Sequence, residues 1–300
     1  MPAATEKWRG KHGGRWLNPS LTLAIAALET KKLRIPQPSC TRGAKMEKTT
    51  PKMSGLKGRY LYAVVPGAEE KVYGCLGING GNVYTIAGGK IAAVVSDVPN
   101  QKIRPERRHF AAHQGVLKRL MADGDLLPVS FGIISNGPKA VRAILSRNNS
   151  DVRKQLKRVS GKVEMGLRVA WDVPNIFEYM VSTHPVLMHA RDQLLKGNSE
   201  PTQDDRIEIG RLFEQTLNLE RERHTDRVEK ILETRCFEII GNRCRTEKEV
   251  MNLSCLVGRG LLKEFEAGVF EAAGHFDDSF AFDFNGPWAP HNFVELEIDV

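Results

Sequence analysis

The run from Val163 to Trp171 constrains this chain more than any other stretch. Val163, Met165, Leu167, Val169 and Trp171 alternate with Glu164, Gly166, Arg168 and Ala170. Successive side chains of a strand point to opposite faces, so this period of two predicts a strand with one apolar face and one polar face. Such a strand needs strand neighbours and a helical cover for its apolar side.

The sequence that follows predicts both. A helix through Phe177 and Tyr179 begins after Asp172-Val-Pro174, and the polar break Gly197-Asn-Ser-Glu-Pro201 precedes a long helix to about Glu233. Phe213, Leu217, His224, Val228, Ile231 and Leu232 mark the inward face of that helix. Strands are expected at Cys236 to Ile240 and at Met251/Leu253/Cys255/Val257, then a helix with Phe265, Val269 and Ala272 inward, then strands at Phe280/Phe282/Phe284 and Val294/Leu296/Ile298. The order β, α, β, β, α, β is that of a ferredoxin-like split βαβ, with one inserted helix and one extra strand.

Upstream, Arg59 to Val65, Ile91 to Ser96 and Leu126 to Phe131 read as strands, and Ile78 to Ile86 as a hairpin around Asn-Gly-Gly-Asn. Pro105 opens a helix with Phe110, His113, Leu117, Leu120 and Met121 on its inward stripe. Two further helices are expected near Lys139 to Leu145 and Asp151 to Val159. The fold class is therefore α+β in two domains, residues 53–160 and a modified ferredoxin-like unit at 161–300, behind a basic, disordered extension at 1–52.

The formal net charge of +8 invites a nucleic-acid or membrane reading, so its location decides. Residues 1–52 hold 11 of the 44 basic and 3 of the 36 acidic side chains, leaving 33 of each in the remainder. The foldable part is neutral, so neither nucleic acid nor a lipid membrane is expected as a partner. Arg142, Arg147, Arg153, Lys154, Lys157 and Arg158 form a local basic patch that reads as a solvated helix face. The longest apolar run of the leader, Leu21 to Leu28, is far short of the roughly 20 residues a membrane span needs. Translation from Met46 or Met53 accounts most simply for the leader.

Five cysteines without a C-x-x-C pair indicate neither a disulfide framework nor a zinc ribbon. Cys75 and Cys255 read as small buried hydrophobes in a reducing compartment. His109 and His113, four residues apart with Glu106 a turn earlier, have a spacing that can ligate a metal, and a metal-dependent enzyme is the alternative this cluster leaves open. His113 also lies on the apolar stripe, where packing explains it. The glycines between 74 and 89 form no complete phosphate-binding fingerprint. Asp277, Asp278 and Asp283 with His275 and His291 lack any accompanying nucleophile pattern, and Asp283 is expected to face solvent between Phe282 and Phe284. No cofactor and no catalytic residue are indicated.

What remains unusual is a set of five blocks in order: Tyr60-Leu-Tyr62, Glu106 to Gln114, Leu127-Pro-Val-Ser-Phe-Gly132, Gly161 to Val169, and Phe276-Asp-Asp through Gly286-Pro-Trp288 to Phe293. Together they resemble the gas vesicle L/F protein family (GvpL/GvpF) across about Lys57 to Ile298. The resemblance implies a non-catalytic, minor or accessory component of gas vesicles in the cytoplasm, with an N-terminal α+β domain and a modified ferredoxin-like C-terminal domain. It also implies contacts with the vesicle shell protein and other accessory proteins. Many members carry Gly-Pro-Trp-Pro-Pro-Tyr-Ser-Phe where this chain has Ala289, His291 and Asn292. Asn285-Gly286-Pro287 is expected to turn sharply and fold Trp288 onto the sheet as an apolar anchor. Pro287, Trp288 and Phe293 are thus the candidate tie or interaction residues.

Overall fold

The computed structural model describes residues 57–196 and 202–295. The leader, the Gly197 to Pro201 break, Cys40, Leu296 and Ile298 lie outside them. The described chain is a mixed α/β structure with two antiparallel sheets and seven α-helices.

The first sheet contains β1 (Lys57–Pro66), β2 (Val72–Gly74), β3 (Val83–Gly88), β4 (Ile91–Pro99) and the short β5 (Leu127–Pro128) and β6 (Ile134–Ser135). Its order is β2-β3-β4-β1-β5, with β6 also on β1. The expected 78–86 hairpin is instead a 3-10 turn, Ile78–Gly80, leading into β3, which pairs outward with β2. The strand foreseen at 126–131 shrinks to two residues beside β1, because Pro128 has no N–H for the ladder. Helices α1 (Arg107–Asp123), α2 (Pro138–Arg147) and α3 (Asn149–Val159) cover this sheet.

The inward stripe of α1 is His109, His113, Val116, Leu117, Leu120 and Met121. Phe110, expected inside, is 42% exposed and stacks on Phe131 with ring centroids 4.2 Å apart. Cys75 is likewise exposed. It follows the Gly74 bend at the end of β2, beyond the reach of the core.

The second sheet has the order β10-β7-β9-β8, built from β7 (Lys162–Trp171), β8 (Glu238–Gly241), β9 (Glu249–Gly258) and β10 (Phe280–Trp288). On its inner face Met165, Leu167, Val169 and Trp171 join Met251, Leu253, Cys255, Phe280 and Phe282 in one core with Phe265, Val269 and Ala272 of α7 (Leu262–Ala273). The helix through Phe177 is two helices, α4 (Ile176–Thr183) and α5 (Pro185–Lys196), because Pro185 cannot donate and the chain leaves helical geometry at His184. The long α6 (Gln203–Leu232) starts on a reciprocal capping box between Thr202 and Asp205.

The two sheets share packing. Leu256 of β9 and Phe293 belong to the cluster formed by Leu61, Val64, Leu127, Leu156 and Val159, while Val163 and Ala289 pack with Leu117 and Leu120. Arg259 donates to the Met121 and Gly124 carbonyls at 2.6 and 3.0 Å, and Arg158 forks onto Glu238 at 2.7 and 2.8 Å.

Phe293 is 1% exposed at this junction. Its replacement by Ala removes a fully buried ring and is expected to cost about 3–5 kcal/mol in a urea unfolding titration. A cost under about 1 kcal/mol would show that the segment does not hold the sheets together.

Candidate functional site

Register fixes which residues of the second sheet share its outer face. Glu164, Gly166 and Arg168 of β7 lie opposite Leu256, Ser254 and Asn252 of β9 on one side. On the other they face Trp288, Asn285 and Asp283 of β10. Half of this face is covered, since Leu256 and Ile240 pack toward the first sheet. The other half is open and forms the floor of a groove of about 760 Å³. Its walls are Asn242 to Arg245, which leave β8, and the segment containing Trp288 and Asn292.

Glu164 stands at the boundary between the halves, 7% exposed. Its carboxylate accepts from the Asn292 backbone N–H at 2.9 Å, the Asn292 side-chain amide at 2.6 Å and the Ser254 hydroxyl at 3.3 Å. Asn292 also donates to Ser254 at 3.0 Å, as does Asn242. A desolvated carboxylate survives in such a place only when donors replace its lost water. This network ties the C-terminal segment to the sheet. Sequence reasoning missed it, because Glu164 reads as an ordinary solvent-facing residue until the segment folds back over it.

The Gly286-Pro287 element is a bulge within β10 and not a terminating turn: pairing with β7 is interrupted after Asn285 and resumes at Trp288 opposite Glu164. Gly286 has φ +132°, and a Cβ there would come within 2.7 Å of Met165 Sδ. Trp288 is 36% exposed and lines the groove instead of anchoring on the core, with its indole N–H donating to Asn285 Oδ1 at 2.7 Å. Pro287 is exposed beside it. The buried members of this segment are Ala289, Pro290 and Phe293.

Arg168 pairs with Glu249 at 3.3 Å and lies opposite Asp283. Asp283 points to this outer face, away from Phe282, as the alternation predicts, but is half-buried there, and burial raises its carboxyl above the usual range against the opposing pull of Arg168. Arg243 and Arg245 are exposed, and among the described residues neither guanidinium is paired with a carboxylate, although the Arg245 backbone N–H donates to Glu249.

Of the residues considered for metal or hydrolytic chemistry, His275 and Asp277 share a second, smaller pocket with His184, His224 and Glu220, and the others lie apart from it. His109 uses both ring nitrogens, Nδ1 toward the Arg104 carbonyl at 2.8 Å and Nε2 toward Asn79 at 3.2 Å, while Glu106 pairs with Arg108. His113 meets the Tyr60 hydroxyl at 2.9 Å inside the aromatic cluster of Tyr62 and Phe131. Asp277 caps the turn at Ser279, far along the chain from His291, whose charge would act on His113. Among the described residues no group of three His, Cys, Asp or Glu is placed to hold a metal ion. No helix among them is long and apolar enough to cross a membrane.

The family model described as gas vesicle synthesis protein GvpL/GvpF matches residues 58–295, which takes in both sheets and the groove. The chain belongs to the GvpL/GvpF family. Gas vesicle protein F of Nostoc sp. strain PCC 7120 is 24% identical over 242 residues, 80% of this chain and 98% of that one. Gas vesicle protein F of Streptomyces sp. strain CB03234 is 28% identical over 244 residues, 79% and 99% of the two chains. The crystal structure of GvpF from Anabaena sp. PCC7120 superposes with a TM-score of 0.70 at 24% identity, and that from Microcystis aeruginosa with 0.68 at 23%. Each covers 80% of this chain and 99% of the other, so the whole mixed α/β arrangement is that of GvpF structures. This GvpL/GvpF member is a gas-vesicle-related protein.

Two buried histidines give the family member an acid limit. Burial lowers His113 to about 4, with His291 a secondary like-charge influence, and burial followed by the Arg223 charge lowers His224 to about 4. In an unfolded chain imidazole titrates near ~6.5. Between those values the unfolded chain binds more protons, so each histidine's contribution is complete above about pH 6.5 and is lost as pH falls toward about 4. Each is worth on the order of 3 kcal/mol. Urea stability measured from pH 7 to 4 should fall less steeply in His113→Gln than in the parent. An identical acid slope would remove His113 from the account.

Proposed function

We propose that this chain is an accessory or minor structural protein of gas vesicle assembly that binds the shell protein and other vesicle proteins, without covalent chemistry and without a cofactor. The observation that carries this reading is the family match across residues 58–295. Its relatives bear the name gas vesicle protein F over nearly their full lengths, and the reading places the chain at the vesicle.

Local chemistry agrees with a binding role. The polar groove holds arginines, amides and an exposed indole, the mixture that supplies directional contacts at protein interfaces. Pro287 and Trp288 then belong to the interaction surface, and Phe293 to the structural tie. We also read the two sheets as two domains, 53–160 and 161–300, the second a ferredoxin-like unit. The strand order β10-β7-β9-β8, with the inserted pair α4 and α5, supports that assignment.

Affinity-tagged chain isolated from vesicle-forming cells should carry shell protein with it. Trp288→Ala should leave stability within about 1 kcal/mol, as for other exposed positions, yet reduce the shell protein recovered. Absence of every vesicle protein from the parent preparation would reject the assembly role. Full recovery with Trp288→Ala would remove Trp288 from the surface.

A further inference from the structure

The groove has a direction. Arg243 and Arg245 stand at the β8 side, and Trp288 stands on β10 at the opposite edge of the four-stranded sheet. Neighbouring strands are about 4.8 Å apart, which puts roughly 14 Å between the β8 and β10 edges, and the register sets Trp288 level with Glu238, five residues before Arg243, so the two ends lie on a diagonal of roughly 22 Å. A single phosphate or small carboxylate cannot touch both. Roughly six to seven residues of extended polypeptide, at about 3.4 Å each, span that diagonal.

Charge selects the kind of polypeptide. Three arginines and one carboxylate line the groove, and that carboxylate, Glu164, is buried and already accepts three hydrogen bonds. Arg168 is balanced by Glu249 and Asp283. Arg243 and Arg245 therefore remain as the cations available to a ligand. They are two residues apart and both face the groove. Alternate side chains of an extended segment lie on one face about 6.8 Å apart, so two carboxylates so placed can be met by two long, exposed guanidinium side chains whose backbones are two residues apart. Guanidinium groups take carboxylates in a two-point grip that a lysine pair would not reproduce. Between the ends, Asn242, Asn252 and Asn285 offer amides that can both donate to and accept from a peptide backbone.

We propose that this groove binds an extended acidic segment of a partner polypeptide, laid diagonally across the strands. Its two carboxylates, spaced i and i+2, sit on Arg245 and Arg243, and an apolar or aromatic residue about six positions beyond the second stacks against Trp288. The proposal rests on the binding role argued above only in taking the occupant to be a protein.

The test uses the full 300-residue chain and the fluorescein-labelled peptide Glu-Thr-Glu-Thr-Ser-Thr-Ser-Thr-Phe, followed by fluorescence anisotropy. The Glu peptide should bind the parent and lose at least about tenfold in affinity with the double variant R243E/R245E. The same peptide with Lys in place of Glu should prefer the variant. Matching circular dichroism melts establish that the variant is folded, and R243Q/R245Q replaces it if they differ. Equal binding of a Gln-substituted peptide, equal affinity for parent and variant, or no binding of the Glu peptide would each overturn the proposal. Full displacement by millimolar citrate would assign the groove to a small anion and overturn it as well. Peptide binding that follows the arginines in a protein that recovers no vesicle component from cells would sink the assembly role and leave the groove assignment standing.

Discussion

A buried carboxylate organises the second half of this molecule. Glu164 lies on the polar face of β7, where a strand paired on both sides would ordinarily meet water. Here the chain after β10 returns over it, and Asn292 presents a backbone N–H and a side-chain amide to the two oxygens. Removing a carboxylate from water costs several kcal/mol unless donors of matching geometry replace the solvent, so this contact forms completely or not at all. Once it forms, Ala289 and Phe293 are delivered to the first sheet and Trp288 is held at the groove edge. The bulge at Gly286 makes the return feasible, since any side chain there would strike Met165.

The same contact divides one sheet face between two tasks. Toward the β8 end, Leu256 and Ile240 make the outer face apolar enough to pack on the first sheet. Toward Arg168 the face stays polar, as an antiparallel sheet with one solvated side allows. β9 is consequently buried along nearly its whole length, and its inner alternation at Met251, Leu253, Cys255 and Val257 describes only half of its environment. A one-residue slip of β7 against β9 would bury Arg168 and expose Leu167, so the register that builds the core also fixes the groove.

Elements whose causes are local were readable in the sequence. The alternation in β7 and β10, the stripe Phe265/Val269/Ala272 of α7 and the extent of α6 follow from periodicity within a few turns or residues. Other features depend on partners distant in the chain. Phe110 and His113 fit the same helical stripe, and only the position of β1 decides that Tyr60 takes the histidine inside and leaves Phe110 stacked on Phe131. The β2 edge strand and the exposure of Cys75 follow from pairing with β3, which nothing in Val72 to Gly74 announces. The break between α4 and α5 did have a signal in Pro185. Of the three C-terminal candidates, Trp288 was read as the anchor because it is the largest apolar side chain. The smaller Ala289 and Phe293 occupy the core because the bulge places Trp288 on the open face, next to Asn285.

That open face is also why the proposed binding role falls to the sheet and not to the loops alone. Glu164, Ser254 and Asn285 are on paired strands, and their side chains are mutually hydrogen-bonded or bonded to the returning segment before any ligand arrives. A partner laid across them would lose its own freedom but would not have to order the floor, which lowers the cost of association. Arg243 and Arg245 are the exception, on the connection leaving β8, where exposed side chains keep their rotamer freedom until charge engages them. Recognition built this way separates its parts: the rigid floor sets the direction of the bound segment, and the mobile cations set which segments are drawn to it.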